Sequence, residues 1–406
     1  MLLLLACTGG PGVVLVDDSQ PDVQDSPIDT SPDSPVDTEP VDTGPFPVAV
    51  AGATPQAGDP PLKVEFSARG STSPTEGMAG SWVLSDGTEL EGLDPEHVFA
   101  ASGAYTATLT ISDDLGHDAT DTVPIWVRSE TCPTTGTPEI MGTLVDDDLD
   151  EVSGLAVSRL NPGVLWVHND AGDTERVYAL GTDGGVLGRY TLDVPHRDWE
   201  DMALAQIDEV WHLVVGDIGD NARTRESVRV YLVPEPTVTP GQEPVDADLA
   251  AVTLTLTYPE LESQDAESLA IDPRTGDVLV VTKNGTGPAR VYAKSAPHVA
   301  GTSELVLVHE LDFSAAPLAG SATTAADVSP DGTRLLIRTY STRGFLWQIG
   351  AEETLAQALQ GIPCELELPE EVQSETVAWD PSGAYLWTIS ERTGVDVNRT
   401  PVVDAE

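Results

Sequence analysis

Five stretches of the chain repeat one pattern, and that repeat limits the fold more than any other feature of the 406 residues. Each pairs a short strand of small and apolar residues with a turn and a strongly apolar strand that ends in polar residues. The pairs are 153–157 with 164–168, 200–204 with 210–216, 267–271 with 278–282, 324–328 with 335–339, and 375–379 with 385–390. Successive first strands begin 47 to 67 residues apart, a spacing that leaves room for two more strands per unit, such as 176–180 with 188–192 and 290–293 with 305–309. One such sheet cannot cover both of its own faces, so the units must stack. Four-stranded units arranged around an axis form a β-propeller, which leaves only short protected edges. The last unit lacks an outermost strand, while residues 138–144 precede the first unit with no partner, so closure of the ring by that strand is expected. The turns Asp272-Pro-Arg-Thr-Gly276, Ser329-Pro-Asp-Gly332 and Asp380-Pro-Ser-Gly383 join first to second strands and read as structural hairpins.

Composition agrees with an all-β chain: 36 glycines, 32 prolines and no long amphipathic helical register. Sixty-eight acidic residues against 19 basic ones leave a net charge of -49, which repels a polyanion and excludes nucleic-acid binding. Only Lys63, Lys283 and Lys294 are lysines, so Lys283, at the end of a second strand, stands out. No Gly-x-Ser-x-Gly elbow or Walker-type loop is present, which removes serine hydrolase and P-loop chemistry. The three cysteines show no zinc spacing. Cys132 lies just before the closing strand and Cys364 just before the last unit. In an oxidising compartment the two are a candidate disulfide, the alternative being two separate buried thiols.

The N-terminus, Met-Leu-Leu-Leu-Leu-Ala-Cys7, resembles the end of a bacterial lipoprotein signal, which implies lipidation of Cys7; the alternative is a start placed at the wrong codon. Residues 1–16 are then signal remnant and anchor. Residues 17–45 carry nine acids, six prolines and no Lys or Arg, the composition of a disordered, self-repelling tether. Strands alternate again from Pro47, over about 80 residues, which suits a small sandwich. Trp82, Asp86-Gly87, His97-Val-Phe99 and the run from Gly103 to Gly116 resemble the PKD (polycystic kidney disease) domain across 46–128. The family's Phe-Gly-Asp-Gly is Leu84-Ser85-Asp86-Gly87 here. That resemblance implies a spacer or weak adhesion module. The expected fold is therefore a PKD-type β-sandwich followed by a five-bladed β-propeller over 131–406.

First strands of a propeller line its axis, so alignment of the five units brings Ser153, Glu200, Glu267, Thr324 and Glu375 to one level. Three carboxylates and two hydroxyls in a narrow tube raise one another's pKa unless a cation sits among them, and oxygen-only ligands suit Ca²⁺; the alternative is a water-filled channel with polar walls. This ring resembles that of the five-bladed calcium-activated nucleotidases, in support of metal binding. The chain from 145 to 391 also resembles a family of exported propeller proteins. The shared marks are His168-Asn-Asp-Ala-Gly-Asp173, Asp198-Trp-Glu-Asp201, Gly216-Asp-Ile-Gly-Asp-Asn221, Asp265-Ala-Glu267, Thr282-Lys283, the run from Asp327 to Gly332, Arg338-Thr-Tyr340 and Ser390-Glu391. That second resemblance implies fold and no activity.

Second-strand ends place His168, Asn169, Asp170, Asp217, Asp220, Asn221, Lys283, Asn284, Arg338, Tyr340, Glu391 and Arg392 on one rim. In an active site, Lys283 and Arg338 would seat a phosphate or carboxylate, Asp170 or Asp217 would position water, and His168 would serve as acid or base. Charges at strand ends also form salt bridges and caps, and the two readings diverge only in geometry. Gly216 to Asn221 lacks EF-hand spacing and reads as a structural turn. The expected protein is a lipid-anchored envelope protein whose calcium-containing propeller binds an extracellular small molecule, glycan or protein; the alternative is a Ca²⁺-dependent hydrolase of a phosphoester or lactone.

Overall fold

A computed structural model describes residues 46–405 apart from 59, 102, 128–131, 171–172, 284–286, 312–321 and 352. Cys7, the anchor 1–16, the tether 17–45 and Asn284 lie outside the described residues. The chain divides into the units Met1–Pro45 and Phe46–Glu406, and only the second is described.

Residues after Phe46 build a sandwich from a three-stranded sheet (Gly52–Thr54, Leu62–Ser67, Glu96–Phe99) and a five-stranded one (Ala57–Gly58, Met78–Leu84, Glu89–Glu91, Gly103–Asp113, Asp118–Val127). The alternation in Leu62–Ser67 decides which face is core: Leu62, Val64 and Phe66 are buried while Lys63 and Glu65 are exposed. Trp82 is fully buried beside Phe66, with ring centroids 4.9 Å apart. Burial of each such ring contributes about 2–3 kcal/mol.

The remaining described strands form five further sheets. Blade 1 is Val152–Val157, Val164–Asn169, Arg176–Gly181 and Val186–Leu192; blade 2 is Trp199–Ile207, Val210–Asp217, Val228–Pro234 and Val252–Thr257. Blade 3 is Ala266–Ile271, Val278–Thr282, Ala289–Lys294 and Val306–Leu311; blade 4 is Thr323–Val328, Arg334–Thr339, Arg343–Gln348 and Cys364–Glu367. Blade 5 is Ala378–Trp379, Tyr385–Ile389, Val395–Val403 and, as its outermost strand, Glu139–Leu144 from the start of the domain. Inner and second strands are apolar on both faces because each blade packs between two others. Separate apolar cores join blades 1 and 2, 2 and 3, 3 and 4, 4 and 5, and 5 and 1, so the ring is closed.

Three blades carry a fifth strand, which on blade 5 is Thr134–Thr135, paired with Val402–Val403. Val245–Leu249 pairs in parallel with Val186–Leu192 of blade 1, and Gly301–Glu304 pairs in parallel with Val252–Thr257 of blade 2. Both parallel strands come from the excursion of the following blade, and each covers an outer edge that would otherwise present unpaired backbone groups. Cys132 and Cys364 form a disulfide with Cα atoms 5.5 Å apart, which ties the segment before the closing strand to the outer strand of blade 4.

Candidate functional site

The axis is built by a local irregularity that recurs. In blade 1, Val152 pairs with Asn169 and Gly154 with His168, so Ser153 is skipped. Glu200, Glu267 and Thr324 are skipped in the same way in blades 2, 3 and 4. A β-bulge leaves one residue unpaired and re-aims its side chain, and the bulged residues here are four of the five ring residues. Glu375 lies just before the short inner strand Ala378–Trp379 of blade 5.

The ring's carboxylates and hydroxyls diverge in role. Ser153 donates to the carbonyl of Glu200 at 2.5 Å and Thr324 to that of Ser374 at 2.7 Å, so each hydroxyl ties its blade to the next. Glu200, Glu267 and Glu375 are buried and act on one another. Burial raises Glu200 well above the usual carboxylate range, and the charges of Glu267, Asp170 and Asp198 add to it. Glu267 meets Lys283 Nζ at 2.5 Å. Burial pulls the Lys283 ammonium down, but attraction to Glu267 and hydrogen bonds to Glu267 and Tyr340 outweigh it, so Lys283 stays charged, 5.1 Å from the Tyr340 ring centroid. Glu391 is pushed up to about 8 by burial and by its contact with Glu375.

Asp170, which follows the second strand of blade 1, joins this cluster. Carboxylate oxygens of Asp170, Asp198 and Glu200 lie within 4.8 Å of one another. Burial, then Asp198, Glu375 and Glu151, push Asp170 up to about 7, against the pull of Lys283. Glu200 Oε1 and Asp170 Oδ1 are buried with no hydrogen-bond partner among the described residues. The backbone at Gly219 presses on this group: a Cβ there would sit 2.0 Å from Glu200 Oε1 and 2.6 Å from Asp198 Oδ2, so any side chain would displace both carboxylates.

Other rim residues lie in buried pairs. Asp217 is fully buried, 2.8 Å from Arg225 Nη2, and accepts from Tyr231 at 2.9 Å. Arg225 also donates to the carbonyls of Gly219 at 2.6 Å and Asp217 at 3.0 Å, and its N–H meets Asp220 at 2.6 Å. The turn from Gly216 to Asn221 is thus wrapped on one guanidinium, which holds Gly219 against Glu200. Arg338, fully buried, donates to the carbonyl of Thr376 at 2.6 Å and to Glu371 at 2.6 Å, so it fixes the segment that carries Glu375.

His168 lies flat on the inner strand, where a Cβ at Gly154 would come 2.1 Å from its Nε2. Its Nδ1 donates to the carbonyl of Asn169 at 3.0 Å, and burial lowers its pKa to about 4. A histidine depressed from 6.5 contributes stability that is complete above 6.5 and is lost as pH falls through about 4. The stability difference between the native protein and His168→Gln, read from urea unfolding at each pH, is expected to shrink by about 3 kcal/mol from pH 7 to pH 4.

At the next axial residue, Asp201 is buried and accepts three backbone N–H groups, from Met202 at 2.8 Å, Leu269 at 2.8 Å and Ala326 at 2.9 Å. One carboxylate therefore binds blades 2, 3 and 4 together. Asp327 does the same between blades 4 and 5, accepting from Val328 and Trp379 at 2.8 Å. The sequence pattern had assigned no role to Asp198, Asp201 or Arg225; Asp198 and Asp201 flank Glu200 within one motif, which was the available signal.

Residues 45–127 match the PKD domain. PKD domains are typically extracellular. Among the described residues no helix is long and apolar enough to cross a membrane. A solved structure similar to this chain is the β-propeller domain of Cps50 (Swd1) from Myceliophteria thermophila. It is 12% identical, with a TM-score of 0.34, over 75% of this chain and 96% of that one. The PKD domain and the propeller together make an architecture of the extracellular adhesion or binding type.

Proposed function

We propose that the protein is an exported, lipid-anchored binding protein whose propeller holds Ca²⁺ at the axial carboxylates and uses that end to take an extracellular small molecule, glycan or protein. The observation that carries this reading is the convergence of Glu200, Glu267 and Glu375, buried and mutually repelling, with Asp170 and Asp198 beside them. Such a group is costly without a cation, and its donors are all hard oxygens. In this reading Cys7 carries the lipid and the acidic segment 17–45 holds the domains away from the membrane.

Calcium at a hundredfold over its Kd is expected to stabilise the chelator-treated protein by about 2.7 kcal/mol. Thermal unfolding with and without CaCl₂ reads this, and a melting temperature indifferent to both calcium and chelator overturns the calcium reading. A second reading, a Ca²⁺-dependent hydrolase, draws on the charged Lys283 held beside Tyr340 in the same cluster. It predicts chelator-sensitive turnover of nucleotides, phosphoesters or lactones, and its absence on all three leaves the binding reading.

A further inference from the structure

The five-residue ring is the obvious place for a cation, yet its parts are differently engaged. The hydroxyls of Ser153 and Thr324 donate to backbone carbonyls of neighbouring blades. Glu267 already has an ammonium at 2.5 Å, and Glu375 acts on the neighbouring Glu391 carboxyl. Of the ring carboxylates, Glu200 is the one with a buried oxygen, Oε1, that has no partner among the described residues. The group it faces comes from off the ring: Asp170, at the end of a second strand of blade 1, and Asp198, two residues ahead of Glu200 in blade 2.

We propose that a hard divalent cation is bound between blades 1 and 2 by Asp170, Asp198 and Glu200, with Glu267, Glu375, Ser153 and Thr324 outside its ligand set. The inference rests on the calcium reading above and gives that reading a location. Three facts converge on it. The three carboxylates each offer an oxygen within 4.8 Å of the others, close enough for one ion to touch all three. Two of the oxygens in this group, Glu200 Oε1 and Asp170 Oδ1, are buried without a hydrogen-bond donor, and buried acceptors of this kind are rarely left unpaired. The loop that closes over them does so through Gly219, where a Cβ would push the Glu200 and Asp198 carboxylates aside, and it is pinned by Arg225. The Arg225 guanidinium spends its hydrogen bonds on Asp217 and the loop carbonyls and reaches Asp198 only through its charge.

The donor set is oxygen only, which favours Ca²⁺, Mg²⁺ or Mn²⁺ over zinc. Three protein carboxylates fall short of the six to eight oxygens that Ca²⁺ takes, so water or an oxyanion of the ligand fills the remaining positions. Lys283, held charged by Glu267 and acting also on Asp170 and Glu200, favours an anionic group beside the ion.

Calorimetric titration of the full chain with CaCl₂, after chelator treatment, tests the location. Asp198→Asn and Glu200→Gln are expected to weaken binding at least tenfold, while Thr324→Ala and Glu375→Gln change Kd less than threefold. The reverse pattern overturns the off-ring location and leaves calcium in the ring. Calcium binding by the native chain that neither pair affects also overturns the location alone. A native chain that binds none of Ca²⁺, Mg²⁺ and Mn²⁺ overturns the calcium reading itself. Melting temperature without metal checks that each variant is folded, and Asp170→Asn, at the other side of the group, replaces Asp198→Asn should that variant unfold.

Discussion

Asp201→Ala is expected to lower the unfolding free energy by about 4–6 kcal/mol, the largest effect of any single substitution away from the apolar cores. The carboxyl accepts N–H groups from Met202, Leu269 and Ala326, and the residue is fully buried. Its removal leaves three donors in a dry axis, each costing about 1–3 kcal/mol when unmet. One term offsets this. Burial raises the carboxyl's pKa well above the usual range, ahead of the lowering by its three N–H bonds, so the native state bears a desolvation cost that alanine relieves. The donors outnumber that single group, and the sum remains unfavourable. Asp201→Asn keeps the volume but turns an amide N–H₂ toward at least one donor, so a loss of roughly half the alanine value is expected. Urea unfolding reads both. An alanine variant within 0.5 kcal/mol of the native protein, on the scale of ordinary surface substitutions, would show that the axis is held by packing alone.

The same axis shows how far the sequence could be read. Inner and second strands are apolar on both faces and recur, so the five blades and the closing strand at Glu139–Leu144 follow from pattern. The ring residues were visible because each occupies the same place in its repeat, even though what re-aims four of them, Ser153, Glu200, Glu267 and Thr324, is a bulge that no local propensity announces. The rim was read less well for a physical reason. Asp170, Asp217, Lys283 and Arg338 look alike as charges after apolar runs, and what separates them is distant: Arg225 for Asp217, Glu371 for Arg338. The two parallel outer strands were missed: Gly301–Glu304 is polar and exposed, and Val245–Leu249, although it alternates and packs Ala247 and Leu249 against the core of blades 1 and 2, is only five residues long.

Removal of the Cys132–Cys364 disulfide, by Cys132→Ser with Cys364→Ser or by reductant, is expected to lower stability by about 3–5 kcal/mol. The bonded residues are 232 apart in sequence, so the cross-link closes nearly the whole propeller into one loop. On the chain-entropy account a loop of that size restricts the unfolded state by about 5 kcal/mol. Residual structure in the unfolded chain reduces the measured effect. The bond also acts at the seam where the ring is completed by non-local pairing. Between Cys132 and blade 1 the chain supplies Thr134–Thr135, paired with Val402–Val403, and then Glu139–Leu144, paired with Val395–Arg399. Thr135 donates at 2.6 Å to the carbonyl of Glu367, the last residue of the bonded strand of blade 4. Loss of the cross-link frees this end to fray, so hydrogen exchange is expected to quicken first in Glu139–Leu144 and its partner strand, and in blades 2 and 3 only at amides that exchange through global unfolding. Reductant should shift the urea midpoint of the native protein and leave that of the double serine variant where it is. Equal midpoints for the native and double serine proteins under oxidising conditions would show that the outer strand alone closes the ring.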